Sequence, residues 1–358
     1  MSVDRPEANR DYPGSYADLL AWFPTDAACL EYLEWLRWGP DGFSCPHCES
    51  AAGWKLPDGR WSCAGCRRRV SVTAGTIFHG TRTPLTLWFA AAWEMTSQKN
   101  GTSALGLKRV LDLGSEQTAW AMLHRYRTAM VRPGRDRLCG HVEVDETFFG
   151  APEPGRAGPG ALGKTLVAIA VEVGVDGSIA GRCRMSVIPD AEGPTLRAFV
   201  EDNIEPGSLV ITDGWSGYQV ACAPPYRHDR SFISRQTLLA HELLPAVHRV
   251  AGLTKRWLLG THQGGVKPVH LQAYLNEMAF RFNRRGSKAR GMLFYRLLQA
   301  AVLAEPRTFG SLVAVRRRPY YPAPKPPPPD KRVHAGSLDR PTLDRPWLAG
   351  RDSDQAAP

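Results

Sequence analysis

The sequence lacks long hydrophobic runs. No stretch of about 18 apolar residues occurs in it, and a membrane-spanning helix needs about 20. The polar segment from Met1 to Tyr16 also lacks the hydrophobic centre of a secretion signal. We therefore expect a cytoplasmic protein without a membrane span.

Acidic residues are outnumbered by basic ones. The 358 residues include 45 Lys and Arg against 35 Asp and Glu, a net charge of +10. The excess favours a polyanionic partner over a small metabolite, although many basic proteins bind no nucleic acid. With 43% hydrophobic and 22% charged residues, the composition excludes collagen, a coiled coil and a wholly disordered chain.

Glycine and proline divide the chain into five predicted parts. A helical segment (1–40) and a cysteine-rich segment (41–80) come first, followed by a helical block (81–137). Within the first segment, Thr25 or Asp26 can cap a helix that runs to about Trp38. A domain of mixed strands and helices (138–304) comes next, with strands predicted at 141–150, 165–173, 182–188 and 208–212. The last part (305–358) is rich in proline, which predicts a disordered tail.

Only eight cysteines are present, and four of them form two close pairs. Cys45 and Cys48 make one CxxC pair, and Cys63 and Cys66 make the other. Two such pairs favour tetrahedral Zn²⁺ with a structural role, because four thiolates leave no position open for chemistry. Four unconnected buried cysteines are the alternative.

Basic residues cluster at two places before the strand-rich domain. Arg67, Arg68 and Arg69 follow the last paired cysteine and could hold phosphates, or form a solvated basic turn. The segments 103–111 and 115–130 are typical of a helix-turn-helix, a pattern that also occurs in proteins that do not bind DNA. Its predicted basic face comprises Lys108, Arg109, His124, Arg125 and Arg127, whereas Leu105, Val110, Ala119, Met122 and Leu123 are predicted to pack inward.

Two acidic residues are predicted at the ends of strands. Asp145 lies in VEVDETFFG (142–150), and Asp213 lies in ITDGWSGY (211–218). A carboxylate that leaves a buried strand is costly unless its charge is neutralised, and two Mg²⁺ ions would neutralise it. A turn-forming role is the alternative for each residue alone.

Together with LTKRWLLGTHQG (253–264) and FRFNRR (280–285), these motifs resemble bacterial insertion-sequence transposases. Those enzymes have an N-terminal zinc ribbon and a ribonuclease H-like domain of the DDE type. The resemblance covers roughly residues 20–300 and implies an α/β fold, with a mixed sheet flanked by helices. It also implies that the first Asp lies on the first strand, the second follows the fourth strand, and a third ligand lies on a later helix.

The third ligand departs from the usual pattern of the family. His248 stands where many relatives have Glu or Asn, and it is similar in this to some members. Lys255 is seven residues further along, a spacing that puts both side chains on the same side of a helix. The resemblance thus implies a catalytic set of Asp145, Asp213, His248 and Lys255, with Glu242 as an alternative third ligand. A neutral imidazole also favours Mn²⁺ over Mg²⁺.

The implied function is metal-dependent cleavage and strand transfer at the terminal inverted repeats of a mobile element. The expected partners are double-stranded DNA and a second copy of the chain, and Arg256 is a further candidate DNA contact. A non-catalytic DNA-binding regulator descended from such an enzyme is the alternative. A nuclease that cuts without joining is a third possibility.

Overall fold

The computed structural model describes residues 6–150, 164–178, 181–230 and 243–314. Glu242 and residues 315–358 of the predicted proline-rich tail lie outside these residues, and the described start of that tail contains a short helix (309–313) where disorder was predicted. No helix in the described part of the chain is both long enough and apolar enough to cross a membrane.

Two helices and a small sheet form the N-terminal part. Helices α1 (Tyr16–Trp22) and α2 (Asp26–Trp38) precede the antiparallel strands β1 (Gly53–Lys55), β2 (Trp61–Cys63) and β3 (Arg69–Val70). The predicted helix of residues 26–38 is confirmed, and the Thr25 hydroxyl caps it by accepting the Ala28 N–H. Helix α1 was not predicted, although Ser15 and Asp18 form a capping box at its start.

Three helices make up the next block: α3 (Leu85–Ser97), α4 (Ala104–Val110) and α5 (Glu116–Ala129). The last two match the predicted helix pair within one residue at each end. Ser103 caps α4, and Ser115 caps α5. Helix α3 packs against α2 and α5.

A five-stranded mixed sheet follows. Its strands are β4 (His141–Phe149), β5 (Thr165–Val173), β6 (Cys183–Val187), β7 (Leu209–Thr212) and β8 (Arg227–Arg230). They lie in the order β6-β5-β4-β7-β8, with β4 antiparallel to β5, β5 antiparallel to β6, and β4, β7 and β8 parallel. The predicted α/β class with a mixed sheet is confirmed. Strand β8 was not predicted because its sequence, RHDR, contains no apolar residue.

Six further α-helices occur in the described part of this region, and four of them cover the two faces of the sheet. The six helices are α6 (Gly193–Asn203), α7 (Gly217–Ala221), α8 (Pro245–His262), α9 (Leu271–Phe282), α10 (Arg290–Ala301) and α11 (Phe309–Val313). Helices α6 and α7 share one apolar core with the sheet, and α8 and α9 share the other. Helix α10 instead packs among the N-terminal helices, with Phe294 and Leu298 beside Phe89.

Candidate active site

The four paired cysteines converge on one point. Their sulfur atoms all lie within 4.8 Å of one another, with 3.7 Å between Cys45 and Cys66 and 3.5 Å between Cys48 and Cys63. Tetrahedral Zn²⁺ with Zn–S bonds of about 2.3 Å would separate its sulfurs by about 3.8 Å. A hydrogen bond from the Cys66 backbone N–H lowers the pKa of the Cys63 thiol to about 6, which favours the thiolate that binds zinc. The cluster therefore fits a structural zinc site.

Three arginines beside the zinc ribbon face solvent. Arg67, Arg68 and Arg69 are exposed, and Arg67 has a positive φ of 59°. The Arg68 guanidinium lies 3.1 Å from Nδ1 of His47 in the first cysteine pair. Their exposure is compatible with phosphate contacts, which stay a prediction.

The predicted basic face of the helix pair is only partly exposed to solvent. Arg109 is exposed, and Lys108 and Arg125 are half-buried. Nε of Arg125 donates to the carbonyl oxygen of Arg307 at 2.7 Å, so part of its hydrogen-bonding capacity is used within the chain.

Two residues of that face are buried, and their assignment to DNA contact is wrong. Arg127 is 1% exposed, and its Nε donates to Oε2 of Glu277 on α9 at 2.8 Å. His124 is 2% exposed, and burial lowers its pKa to about 2, so it carries no charge near neutrality. Both side chains join the helical block to α9 and do not face a ligand.

The inward packing predicted for α4 is also wrong at two positions. Leu105 and Val110 are 41% and 60% exposed, whereas Leu107 is buried. A helix of seven residues has room for few inward positions, and Leu107 takes the central one. On α5, Ala119, Met122 and Leu123 are buried as predicted.

Asp145 lies in the middle of β4, not near its end as predicted, and Asp213 directly follows the neighbouring parallel strand β7. The last pair of this ladder is Glu143 with Ile211, each two residues before one of the aspartates, and the charge of Asp213 acts on Asp145. Adjacent strands lie about 4.8 Å apart. Oδ1 of Asp145 accepts the Glu146 N–H at 2.8 Å, and Oδ1 of Asp213 accepts the Trp215 N–H at 3.0 Å. Each carboxylate is thus oriented by the backbone that follows it.

The carboxylates at this edge of the sheet repel one another, and nearby positive charge does not offset the repulsion. Burial, together with the nearby charges of Glu146 and Asp213, raises the pKa of Asp145 to about 7. Burial also raises the pKa of Glu146, and the charge of Asp213 adds to that effect. A bound cation would remove the penalty, so these residues fit divalent metal ions.

Residues 143, 145, 147 and 149 share one face of β4 because side chains alternate along a strand. This face lies against α8. Oδ2 of Asp145 is 3.7 Å from Nε2 of His248, and Nζ of Lys255 donates to the Thr147 hydroxyl at 2.8 Å. The ammonium of Lys255 also lies 5.4 Å from the centre of the Phe149 ring. The structure thus brings Asp145, Asp213, His248 and Lys255 to one region.

Glu146 points to the opposite face, because successive side chains alternate along a strand. Its Oε2 accepts the hydroxyl proton of Tyr218 at 2.5 Å. Tyr218 is fully buried, and Trp257 is 9% exposed with its indole N–H on the carbonyl of Asn100, so both side chains pack inside the protein. Trp215, in contrast, is 51% exposed.

The potential metal ligands Asp145, Asp213 and His248 are more widely spaced than the cysteines. In the described part of the chain, only the cysteine cluster has three or more potential ligand atoms of His, Cys, Asp or Glu that all lie within 4.8 Å of one another. Sequence reasoning missed Glu143 and Thr147, which also contact α8. Both lie two residues from Asp145, so the sequence could have placed them on the same face of the strand. It does not show which helix covers that face.

The fold and this acidic edge are those of a ribonuclease H-like domain of the DDE type. Comparison with known families agrees: residues 137–283 match the ISXO2-like transposase domain, and residues 24–69 match the transposase zinc-ribbon domain. The chain therefore carries the two domains of an insertion-sequence transposase, in the order that the motifs predict.

A curated relative is also similar to part of the chain. It is an "Uncharacterized transposase-like protein" from Haemophilus influenzae (strain ATCC 51907 / DSM 11121 / KW20 / Rd), 24% identical over 117 residues. The aligned region covers 33% of this chain and 94% of the relative. Together with the two domain matches, this similarity supports a transposase.

Proposed function

We propose that this transposase binds the terminal inverted repeats of its own mobile element, cleaves the DNA there and joins the ends to a target. The observation that carries the proposal is the proximity of Asp145 on β4 to Asp213, directly after the adjacent parallel strand β7, and to His248 on α8.

Asp145, Asp213 and His248 would hold two divalent cations. When bound, such ions activate the attacking oxygen and stabilise the leaving oxygen in displacement at phosphorus. Asp145 lies between the other two ligands, because it is beside Asp213 in the sheet and faces the His248 imidazole. Its raised pKa means that a proton competes with a cation for this carboxylate near neutral pH.

Lys255 would hold a phosphate next to the reacting one. Thr147 and Phe149 fix the direction of its ammonium, which projects from the same side of α8 as His248. An ammonium acts as a compact positive charge, suited to a phosphate oxygen that does not itself react. Lys255 thus orients the DNA backbone in this proposal.

Other basic residues would hold DNA away from the site. They are Arg67, Arg68, Arg69, Lys108, Arg109, Arg125 and Arg256. Exposure of the three zinc-ribbon arginines, Arg109 and Arg256 supports this assignment. Joining two ends of one element requires that both be held together, so we expect at least a dimer on DNA.

The test is cleavage and joining of DNA that carries the element's flanking repeats, in Mn²⁺ and in Mg²⁺. We expect joined products from the wild type, with more turnover in Mn²⁺ because His248 replaces a carboxylate. Asp145→Asn, Asp213→Asn and His248→Ala should each abolish both steps but still bind DNA.

Asp176→Asn is the matched control. Asp176 lies in an exposed turn after β5, where it accepts the Ser178 N–H, and the end of β5 pairs with His141 at the start of β4 and not with Asp145, so activity should be unchanged. DNA that is bound but never cut by the wild type would favour the regulator. Cut products without joined strands would favour the nuclease.

A further inference from the structure

Glu143 is a buried carboxylate without a cationic partner among the residues that the structure describes. It is 3% exposed and lies in β4 between Val142 and Val144, both fully buried. A charge in such a place is costly unless hydrogen bonds stabilise it. Burial raises the pKa of Glu143, and two backbone N–H groups oppose that rise.

Those two N–H groups belong to the first turn of α8. Oε2 of Glu143 accepts from Ala246 at 2.8 Å and from Val247 at 3.0 Å. Residue Leu244, at the N-cap position, has no side chain that could accept these protons, and no local cap is formed. A residue about a hundred positions earlier thus performs the capping function for an 18-residue helix.

His248 directly follows the two capped residues. Glu143 and Asp145 lie on the same face of β4, so this face both fixes the start of α8 and contacts the imidazole that α8 carries. If the first turn moved by the length of one hydrogen bond, the distance between Nε2 of His248 and Oδ2 of Asp145 would change with it.

We propose that Glu143 is a positioning residue for the catalytic centre: its carboxylate caps α8 and holds His248 in place as a metal ligand. The inference rests on the proposed metal site of Asp145, Asp213 and His248. Glu143 itself contacts no metal or DNA in this account, and it acts through the backbone of Ala246 and Val247.

Glu172 provides a matched control within the same domain. It is 9% exposed and also accepts two backbone N–H groups, from Cys139 at 3.1 Å and from Arg182 at 2.7 Å. Glu172 pairs with Val142 of β4, so it lies next to Glu143 in the register but on the opposite face of the sheet from α8, where it also forms an ion pair with Arg182 at 2.6 Å. Replacing Glu172 by Gln should therefore perturb a buried carboxylate without moving His248.

The experiment is a titration of the zinc-loaded full chain with Mn²⁺, in which free Mn²⁺ is followed by electron paramagnetic resonance without DNA. Glu143→Gln keeps the side-chain volume and one acceptor oxygen but adds a buried NH₂ group without an acceptor. We expect it to weaken Mn²⁺ binding by about 10- to 100-fold, as is typical when a residue that orients a metal ligand is changed. Glu172→Gln should bind Mn²⁺ as the wild type does.

A double-mutant cycle separates positioning from general destabilisation. In a His248→Ala background, Glu143→Gln should weaken Mn²⁺ binding less than twofold further, because the ligand that it positions is gone. Glu143→Asp, which keeps the charge but shortens the side chain, is a second variant for which we expect the same dependence on His248. Thermal unfolding of each variant reports whether the fold is retained.

Three results would overturn parts of the account. If Glu143→Gln and Glu143→Asp bind Mn²⁺ as tightly as the wild type, the positioning role is wrong and the metal site stands. If their effects add fully to that of His248→Ala, Glu143 does not act through His248. If Asp145→Asn binds Mn²⁺ as the wild type does, the proposed metal site fails, and with it the inference.

Discussion

At the scale of single residues, glycines show where two backbone segments pack in direct contact. Two glycines in helices differ in their surroundings. A Cβ atom on Gly291 of α10 would overlap the carbonyl oxygen of Pro13, whereas a Cβ atom on Gly252 of α8 would meet nothing within 4 Å. Glycine is required at the first position by close packing and is only tolerated at the second.

Substitution by alanine should therefore have opposite effects at the two positions. We expect Gly291→Ala to lower the free energy of unfolding by about 1–3 kcal/mol, because the backbone at Pro13 must move. We expect Gly252→Ala to raise it by up to about 1 kcal/mol through better helix propensity. Denaturant unfolding measures both, and a stabilised Gly291→Ala variant would contradict the packing of α10 on Pro13.

Much of the site could be predicted residue by residue, but the supporting contacts could not. The motifs around Asp145 and Asp213 are local, and the family resemblance implied the order of the strands that carry them. The hydrogen bonds of Glu143 to Ala246 and Val247 cross about a hundred residues. Glu143 lies two residues before Asp145 on the same face of β4. Nothing in the local sequence identifies α8 as the helix that it contacts.

At the scale of elements, a buried ion pair joins the helical block to the catalytic domain. Arg127 of α5 lies 2.8 Å from Glu277 of α9, with exposures of 1% and 0%. Arg281 is also 3.6 Å from Glu277, and its guanidinium donates to the backbone carbonyl of Gln98. Removing the shared carboxylate would leave two guanidinium groups without an anion.

Glu277→Leu should therefore lower the free energy of unfolding more than Arg127→Met does. We expect it to cost about 3–5 kcal/mol, the usual effect of leaving a buried charge unpaired. The double variant Arg127→Met with Glu277→Leu should recover part of that loss, because one of the stranded charges is also removed. Denaturant unfolding of the single and double variants tests this. A double variant whose cost equals the sum of the single costs would contradict a direct pairing.

Helices were predicted well where punctuation and apolar spacing agree, as for residues 26–38 and 115–130. The functional reading of a helix face was less secure. Arg127 and His124 have the residue types of a DNA-binding surface, yet α9 covers them. Helical periodicity shows which residues share a face but not whether that face meets solvent or another helix.

At the scale of the whole molecule, the chain returns to its N-terminal part after it has completed the sheet. Helix α10 packs in the core formed by α1, α2, α3 and α5, beside residues such as Phe23 and Phe89. The sequence could not predict this return, because an amphipathic helix after the last strand fits either core equally well by pattern. The resemblance implied which strands carry the two aspartates, but the order of the five strands across the sheet was not predicted.

The central claim is that Asp145, Asp213 and His248 form one metal centre. Anomalous diffraction from crystals of the full chain soaked in Mn²⁺, collected near the manganese absorption edge, tests it most directly. We predict peaks flanked by the carboxylates of Asp145 and Asp213, with the His248 imidazole directed at one of them. Manganese peaks elsewhere in the chain and none between these carboxylates would contradict the account.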